Sequence, residues 1–172
     1  MSNFKFLINP FLIILIAIVL RLAPHEPNFA PITAMALFGG AYLNSRYALI
    51  VPLAAMFVSD IFIGFHSTMP FVYASFLLSG LIGLRLRNHK NVLNVVAASF
   101  GASVLFFLIT NFGVWLVGGL YPHTGSGLVQ CFINAIPFFR NTVLGDFFYT
   151  GLFFGGYELV LKMVGRKYAS NT

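Results

Sequence analysis

Charged residues are scarce in this chain, and their scarcity argues against a soluble fold. Only 8% of its 172 residues are Asp, Glu, Lys or Arg, and 59% are hydrophobic, 21 of them phenylalanines. A soluble domain carries about 25% charged residues. The chain therefore has too few polar groups to cover its own surface in water. The composition predicts a single integral membrane domain over residues 1–172.

Two other absences narrow the range of functions that the chain can have. Cys131 is the only cysteine, which excludes an internal disulfide and a multi-cysteine metal site. The chain also has no Gly-x-x-x-x-Gly-Lys loop to cradle phosphates, so any ATP must be hydrolysed by a partner. The net charge of +6 comes from basic residues dispersed between apolar runs. Nucleic-acid binding needs them clustered on one soluble face, so we expect no nucleic-acid partner.

Apolar stretches separated by Pro, Gly, Asn and charged residues give the organisation. A membrane span needs about 20 helical residues, and the first stretch lacks a signal-peptide cleavage pattern. The interval 119–127 is rich in turn residues and predicts an outer loop. We expect 127–136 to be a short interfacial helix or loop insert, with Pro137 in the first turn of the last span. The predicted spans, of which the second is short enough to be re-entrant, are 8–23, 31–43, 47–64, 71–84, 92–118 and 137–163.

The basic residues predict the orientation, because short cytoplasmic loops retain Lys and Arg. If the chain has six spans and both termini lie in the cytoplasm, Arg21 and Arg140 are the only basic residues at outer helix ends. A re-entrant second stretch would instead expose the cluster from Arg85 to Lys90 on the outside. We therefore predict an all-α bundle of about six transmembrane helices in the bacterial inner membrane. Its eight inner basic residues would be Lys5, Arg46, Arg85, Arg87, Lys90, Lys162, Arg166 and Lys167.

The same topology gathers polar residues near the outer face. Ionisable groups inside membrane helices are costly and usually face a cavity or a partner. These residues predict either an internal binding cavity or ion pairs that lock helix ends, and the pairing of acids with arginines is left open. Arg140 and Asp146 are six apart and so lie on different helix faces. The candidate substrate-binding residues are Arg21, Asp60, His66, Asn111, Trp115, His123, Arg140, Asn141 and Asp146.

Some candidates have an equally ordinary interpretation. Asn111 and Trp115 are four apart and share one helix face, where they suit either a planar ligand or the aromatic belt of a membrane protein. The outer histidines, which include His66 and His123, show no metal-ligand spacing, so no metal site or cofactor is predicted. Gly80 and Gly83 allow close helix approach, either inside the bundle or against a partner.

Three stretches carry a family resemblance: RLAPHEPNFAPITAMALFGGAYL (21–43), GFHSTMPFVYASF (64–76) and YPHTGSGLVQCFINAIPFFRNTVLGDFFYT (121–150). They resemble an uncharacterised bacterial membrane family related to the substrate-binding S components of energy-coupling factor (ECF) transporters. The resemblance implies a six-helix bundle that captures a vitamin-like molecule near the outer face. The partners it implies are a transmembrane coupling protein and two ATPase subunits. Ala17 and Ala23 depart from the Ala-x-x-x-Ala spacing that S components often use to dock that protein.

Three functions follow from these observations. The leading one is a non-enzymatic binding component for uptake of a small, largely planar molecule, oriented by a few amides and charges in an apolar pocket. The second is a membrane-embedded enzyme using Asp60 or Asp146 with a histidine. The third is a structural subunit of a membrane complex.

Overall fold

The chain is all-helical wherever its structure is described. The computed structural model describes residues 9–24 and 26–169, and these contain no strand. The last two α-helices and the π-helical turn between them follow one another without a break, so the helices form six rods. The described residues are helical and contain no strand, which confirms the predicted all-helical class. The predictions for Lys5 and for both chain ends fall outside the described residues, and so does His25, the third of the predicted outer histidines. The elements are α1 (Pro10–Leu22), α2 (Ile32–Tyr42), α3 (Ile50–Ile63), α4 (Met69–Leu86), α5 (Val92–Val117), α6 (Gly125–Thr150), the π turn (Gly151–Gly155) and α7 (Gly156–Ala169).

Polar caps start several helices close to the predicted positions. The Asn9 side chain accepts a hydrogen bond from the Phe11 amide at 3.0 Å, and the Asn91 side chain accepts one from the Asn94 amide at 2.8 Å. Each cap satisfies a backbone N–H that has no partner within its helix. Pro10 follows the first cap, at the position where a missing N–H costs nothing.

The start of the last rod was predicted wrongly. α6 begins at Gly125, so the segment 127–136 is part of this helix and Pro137 lies inside it. Thr124 supplies the cap, accepting from the Gly127 amide at 3.2 Å. Pro137 removes only the hydrogen bond to the Ile133 carbonyl, and the helix continues past it on an exposed face. A strong cap upstream thus outweighs the proline as a start signal.

α2 is the central helix of the bundle, and every residue from Thr33 to Ala41 is buried. It packs most extensively against α4. A Cβ atom added at Gly83 would lie 2.3 Å from the Leu37 carbonyl oxygen, and one added at Gly40 would lie 2.3 Å from the Gly80 carbonyl oxygen. Gly80 and Gly83 therefore serve packing inside the bundle, one of the two interpretations left open by their spacing.

The bundle has two distinct ends. At one, which we call the cavity end, α1 and α3 end while α2 and α4 begin. At the other, the basic end, Arg87 closes the C-terminus of α2: its guanidinium donates to the Gly40 carbonyl at 3.0 Å, to the Leu43 carbonyl and to the Ser45 hydroxyl at 2.7 Å. A cation is favourable there because the carbonyls at a helix C-terminus carry partial negative charge.

Within the part of the chain that the structure describes, two helices, α4 and α5, are long and apolar enough to cross a membrane. α1, α2 and α3 are apolar but shorter. Every helix except α2 also exposes large apolar side chains, for example Val19 at 67%, Phe62 at 74% and Leu93 at 76%. The buried part of the described chain, by contrast, contains ten polar residues: Thr33, Ser59, Asp60, Ser75, Ser79, Ser99, Ser103, Thr142, Asp146 and Thr150.

Candidate functional site

A buried ion pair ties three helices together at the cavity end. Arg21 of α1 contacts Asp60 of α3 at 2.5 Å, and only 10% and 3% of the two side chains are exposed. The same guanidinium donates to the Met56 carbonyl at 3.1 Å and to the Ser59 hydroxyl. Tyr73 of α4 donates its hydroxyl to the other Asp60 oxygen at 2.6 Å. The pairing that the sequence left open is therefore Arg21 with Asp60.

The second buried acid, Asp146 of α6, has a different environment. It is 2% exposed and accepts a hydrogen bond from the Ser103 hydroxyl at 2.6 Å. The Thr33 side chain forms a second hydrogen bond to it. In the described part of the chain, no basic side chain lies within ion-pair distance of this carboxylate. Its partners among the described residues are the hydroxyls of Ser103 and Thr33.

Arg21 and Asp146 line one cavity. Its volume is about 200 Å³. Asp60 lies behind Arg21 and neutralises it, so the site combines one cation with two acids. Both polar and aromatic walls are present, as in most ligand pockets. The lining residues are Arg21, Asn28, Ala30, Ile32, Thr33, Ile63, Phe76, Phe106, Thr142 and Asp146.

The loop between α1 and α2 covers this cavity and is held against α6. Asn28 lies in this loop in the left-handed region, with φ 62°, a conformation that asparagine tolerates better than most residues. The Asn141 amide donates to the Pro27 carbonyl at 3.1 Å. A Cβ atom added at Gly145 would lie 3.1 Å from the Phe29 Cα. Asn141 is therefore a bracing residue of the cavity and not one of its walls.

Asn111, Trp115 and His123 lie elsewhere. The rise of about 1.5 Å per residue places Trp115 about 14 Å beyond Phe106, the cavity residue on the same helix. Its indole donates to the Pro122 carbonyl at 3.0 Å and packs on the His123 ring with centroids 5.5 Å apart. Asn111 donates to the Phe107 carbonyl of its own helix at 2.8 Å. Trp115 and His123 therefore hold the turn between α5 and α6, whereas the Asn111 side chain binds within its own helix.

His66 and Arg140 also lie outside the cavity. His66 is exposed, with Nδ1 2.8 Å from the Thr68 hydroxyl. Arg140 is exposed on α6, six residues from Asp146 and on a different face of the helix. Of the nine predicted residues, the structure brings Arg21, Asp60 and Asp146 together and adds Asn141 as a brace. Among the described residues, no three His, Cys, Asp or Glu side chains could share a metal ion.

Sequence reasoning missed several residues of this site. The sequence does contain a signal for Ser103. Ser99 and Ser103 are four residues apart in one helix, and Asp146 and Thr150 are four residues apart in another. Two helices with polar residues at this matching spacing can form two contacts with each other. Both pairs form, since Ser99 and Thr150 lie 3.2 Å apart. Thr33 and Tyr73 gave no such signal.

A larger groove of about 580 Å³ lies at the basic end. There the Tyr42 hydroxyl donates to Glu158 at 2.6 Å, and the Lys90 ammonium lies 4.8 Å from the centre of the Tyr42 ring. Polar side chains are therefore found at this end of the bundle as well as at the cavity end. Ser99 and Thr150 reach its inner wall, so the α5–α6 polar pairs run from one cavity to the other.

Comparison with known proteins gives a family and no activity. Residues 2–170 match a family of unknown function, DUF6580. No curated protein and no solved structure matches the chain. Since the match spans nearly the whole sequence, the chain belongs to the family of unknown function DUF6580.

Proposed function

We propose that this is a multi-pass membrane protein that captures a small solute in the cavity between Arg21 and Asp146. Its exterior is apolar and its interior holds serines, threonines and two acids, the distribution favoured where lipid surrounds a protein. The short α2 is compatible with this arrangement because protein surrounds it on all sides. α4 and α5 have the length and apolarity of spans.

Charge supports an orientation with the cavity outward. Arg46, Arg87, Lys90 and Lys162 lie at the basic end, and short cytoplasmic segments retain such residues. The cavity end then faces the outside of a bacterial inner membrane. A solute would enter from there, as the leading sequence hypothesis holds.

The carboxylate of Asp146, which has no basic partner among the described residues, carries the proposal. Arg21 is neutralised by Asp60, so the ionised site has a surplus of one negative charge, and that charge lies on Asp146. A buried carboxylate without a cation is costly unless a bound group compensates it. We therefore infer that the solute presents a cationic or strongly hydrogen-bond-donating group, such as an amine, to Asp146.

The cavity volume limits the size of the solute. At about 200 Å³ it falls below the range of roughly 300–1,000 Å³ typical of drug-sized ligands. This favours a solute smaller than the vitamin-like molecule expected from the sequence. If uptake follows the S components that the sequence resembles, a coupling protein with ATPase subunits provides the energy, and this chain is a binding component and not an enzyme.

Thermal unfolding of the detergent-purified protein against a panel of small amines, amino acids and vitamins tests the proposal. Asp146→Asn keeps the shape of the side chain and removes its charge. Loss of a buried charge contact costs at least about 2 kcal/mol, so affinity for a stabilising amine should fall about 30-fold or more. Arg140→Gln removes an exposed charge from the same helix and should bind like the wild type. Equal binding by all three proteins, or stabilisation by no compound, would overturn the proposal.

A further inference from the structure

The groove at the basic end differs in form from the cavity near Asp146. Its volume is about 580 Å³, nearly three times as large. One wall consists of Val92, Val95 and Val96 at the start of α5, and the facing wall includes Phe147 and Phe154. Val92 is 81% exposed and Val96 46%, so the apolar wall continues onto the outer surface of the bundle.

Two lysines border this apolar groove. Lys90 and Lys162 both line it, and both are exposed. Glu158 also lines the groove and accepts the Tyr42 hydroxyl, so the described lining residues carry a surplus of one positive charge. The Lys90 ammonium donates to the Arg87 carbonyl at 2.9 Å, which leaves it two further N–H donors. The groove therefore offers a long apolar surface that ends at cationic donors.

The π turn forms the floor of the groove and keeps it open. Gly151 and Gly155 both line it, and a Cβ atom added at either would meet nothing within 4 Å. Packing inside this chain does not require these glycines, unlike Gly83. A single π turn within an α-helix is rare and often marks a functional site.

We propose that this groove binds an acidic phospholipid of the inner leaflet, with its phosphate at Lys90 and Lys162 and an acyl chain along the valine and phenylalanine walls. Basic pockets between membrane helices on the cytoplasmic side suit anionic head groups. The inference rests on the proposed membrane insertion and orientation, but it does not depend on the solute that occupies the other cavity.

Native mass spectrometry of the detergent-purified protein, titrated with phosphatidylglycerol or phosphatidylcholine, tests this site. The wild type should retain phosphatidylglycerol in preference to phosphatidylcholine. Each lysine contributes about a fivefold factor in affinity for an anionic lipid, so Lys90→Gln with Lys162→Gln should weaken phosphatidylglycerol binding about 25-fold. Arg46→Gln with Arg85→Gln removes two exposed charges from the same end outside the groove and should leave that binding unchanged.

A second variant tests the apolar part of the groove. Gly151→Leu fills it where space is open, so it should reduce retention of phosphatidylglycerol while helix content measured by circular dichroism stays constant. Excess glycerol phosphate should not displace the lipid, and displacement would assign the lysines to a soluble phosphate ligand instead. Equal retention of both lipids by the wild type, or equal phosphatidylglycerol binding by the two double variants, would overturn the proposal. If the protein showed no preference between the two lipids but still required detergent and still bound its solute, the lipid site would be rejected and the proposed function would stand.

Discussion

Arg21 and Asp60 illustrate at the level of single residues how a low-charge chain holds two charges in its interior. Besides the ion pair, Arg21 donates to the Met56 carbonyl and to the Ser59 hydroxyl. Asp60 accepts a hydrogen bond from the Tyr73 hydroxyl. Removing one member leaves the other buried and uncompensated, which costs about 3–5 kcal/mol. Asp60→Ala should therefore lower the free energy of unfolding by that amount, as measured by thermal or SDS-induced unfolding in detergent.

The control for this prediction is a double variant that removes both charges of the ion pair. Arg21→Gln combined with Asp60→Asn removes both charges and should cost less than the sum of the two single substitutions, because neither leaves a lone charge. Arg140→Ala, at an exposed site, should change stability by no more than about 0.5 kcal/mol. Strict additivity would show that the two side chains do not interact.

Sequence reasoning identified both acids and the arginine of the site but not their geometry, and it wrongly added Arg140. Asp60 and Asp146 were expected to be special because a charge in an apolar helix is expensive. Their partners lie on other helices, Arg21 for one and Ser103 for the other, and no spacing within a single helix reveals such a contact. Trp115 shows the opposite error: shared polarity suggested a shared site, but distance along α5 separates it from the cavity.

At the level of helices, the glycines of the α2–α4 contact set how closely the two can approach. The space for a Cβ atom at Gly83 is occupied by the Leu37 carbonyl at 2.3 Å. Gly83→Ala should therefore push the helices apart and lower the free energy of unfolding by about 1–3 kcal/mol. Denaturation in detergent followed by circular dichroism measures this change.

Gly101 of α5 is the matched control, because a Cβ atom added there meets nothing within 4 Å. Gly101→Ala should be neutral or stabilise the protein by up to about 1 kcal/mol, since alanine favours the helix over glycine. Equal destabilisation by both substitutions would contradict the close α2–α4 contact.

Helix positions were more predictable than helix ends. Five of the six rods match the predicted stretches to within a few residues at most ends, because proline, asparagine and charge interrupt the apolar runs clearly. The sixth failed at Pro137, where a local rule about proline competed with the Thr124 cap and with packing of α6 against α5. The cap is a local signal that the sequence contains, whereas the packing of α6 against α5 is a tertiary contact that no local signal reveals.

At the scale of the whole molecule, the two ends of the bundle differ in charge. At the cavity end, no described basic side chain pairs with Asp146, and the basic end holds Lys90 and Lys162 beside an apolar groove. Ser99, Ser103 and Thr150 link the two along the α5–α6 interface. The functional proposals depend on this polarity being aligned across a membrane.

Labelling of single cysteines with a membrane-impermeant thiol reagent tests that alignment most directly. Cys131 is buried, so a Cys131→Ala background should carry His66→Cys or His89→Cys, both at exposed positions. In intact cells the reagent should label position 66, whereas position 89 should react only after the membrane is permeabilised. Labelling of position 89 from outside, or equal labelling of both positions in intact cells, would contradict a membrane bundle whose Asp146 cavity faces outward.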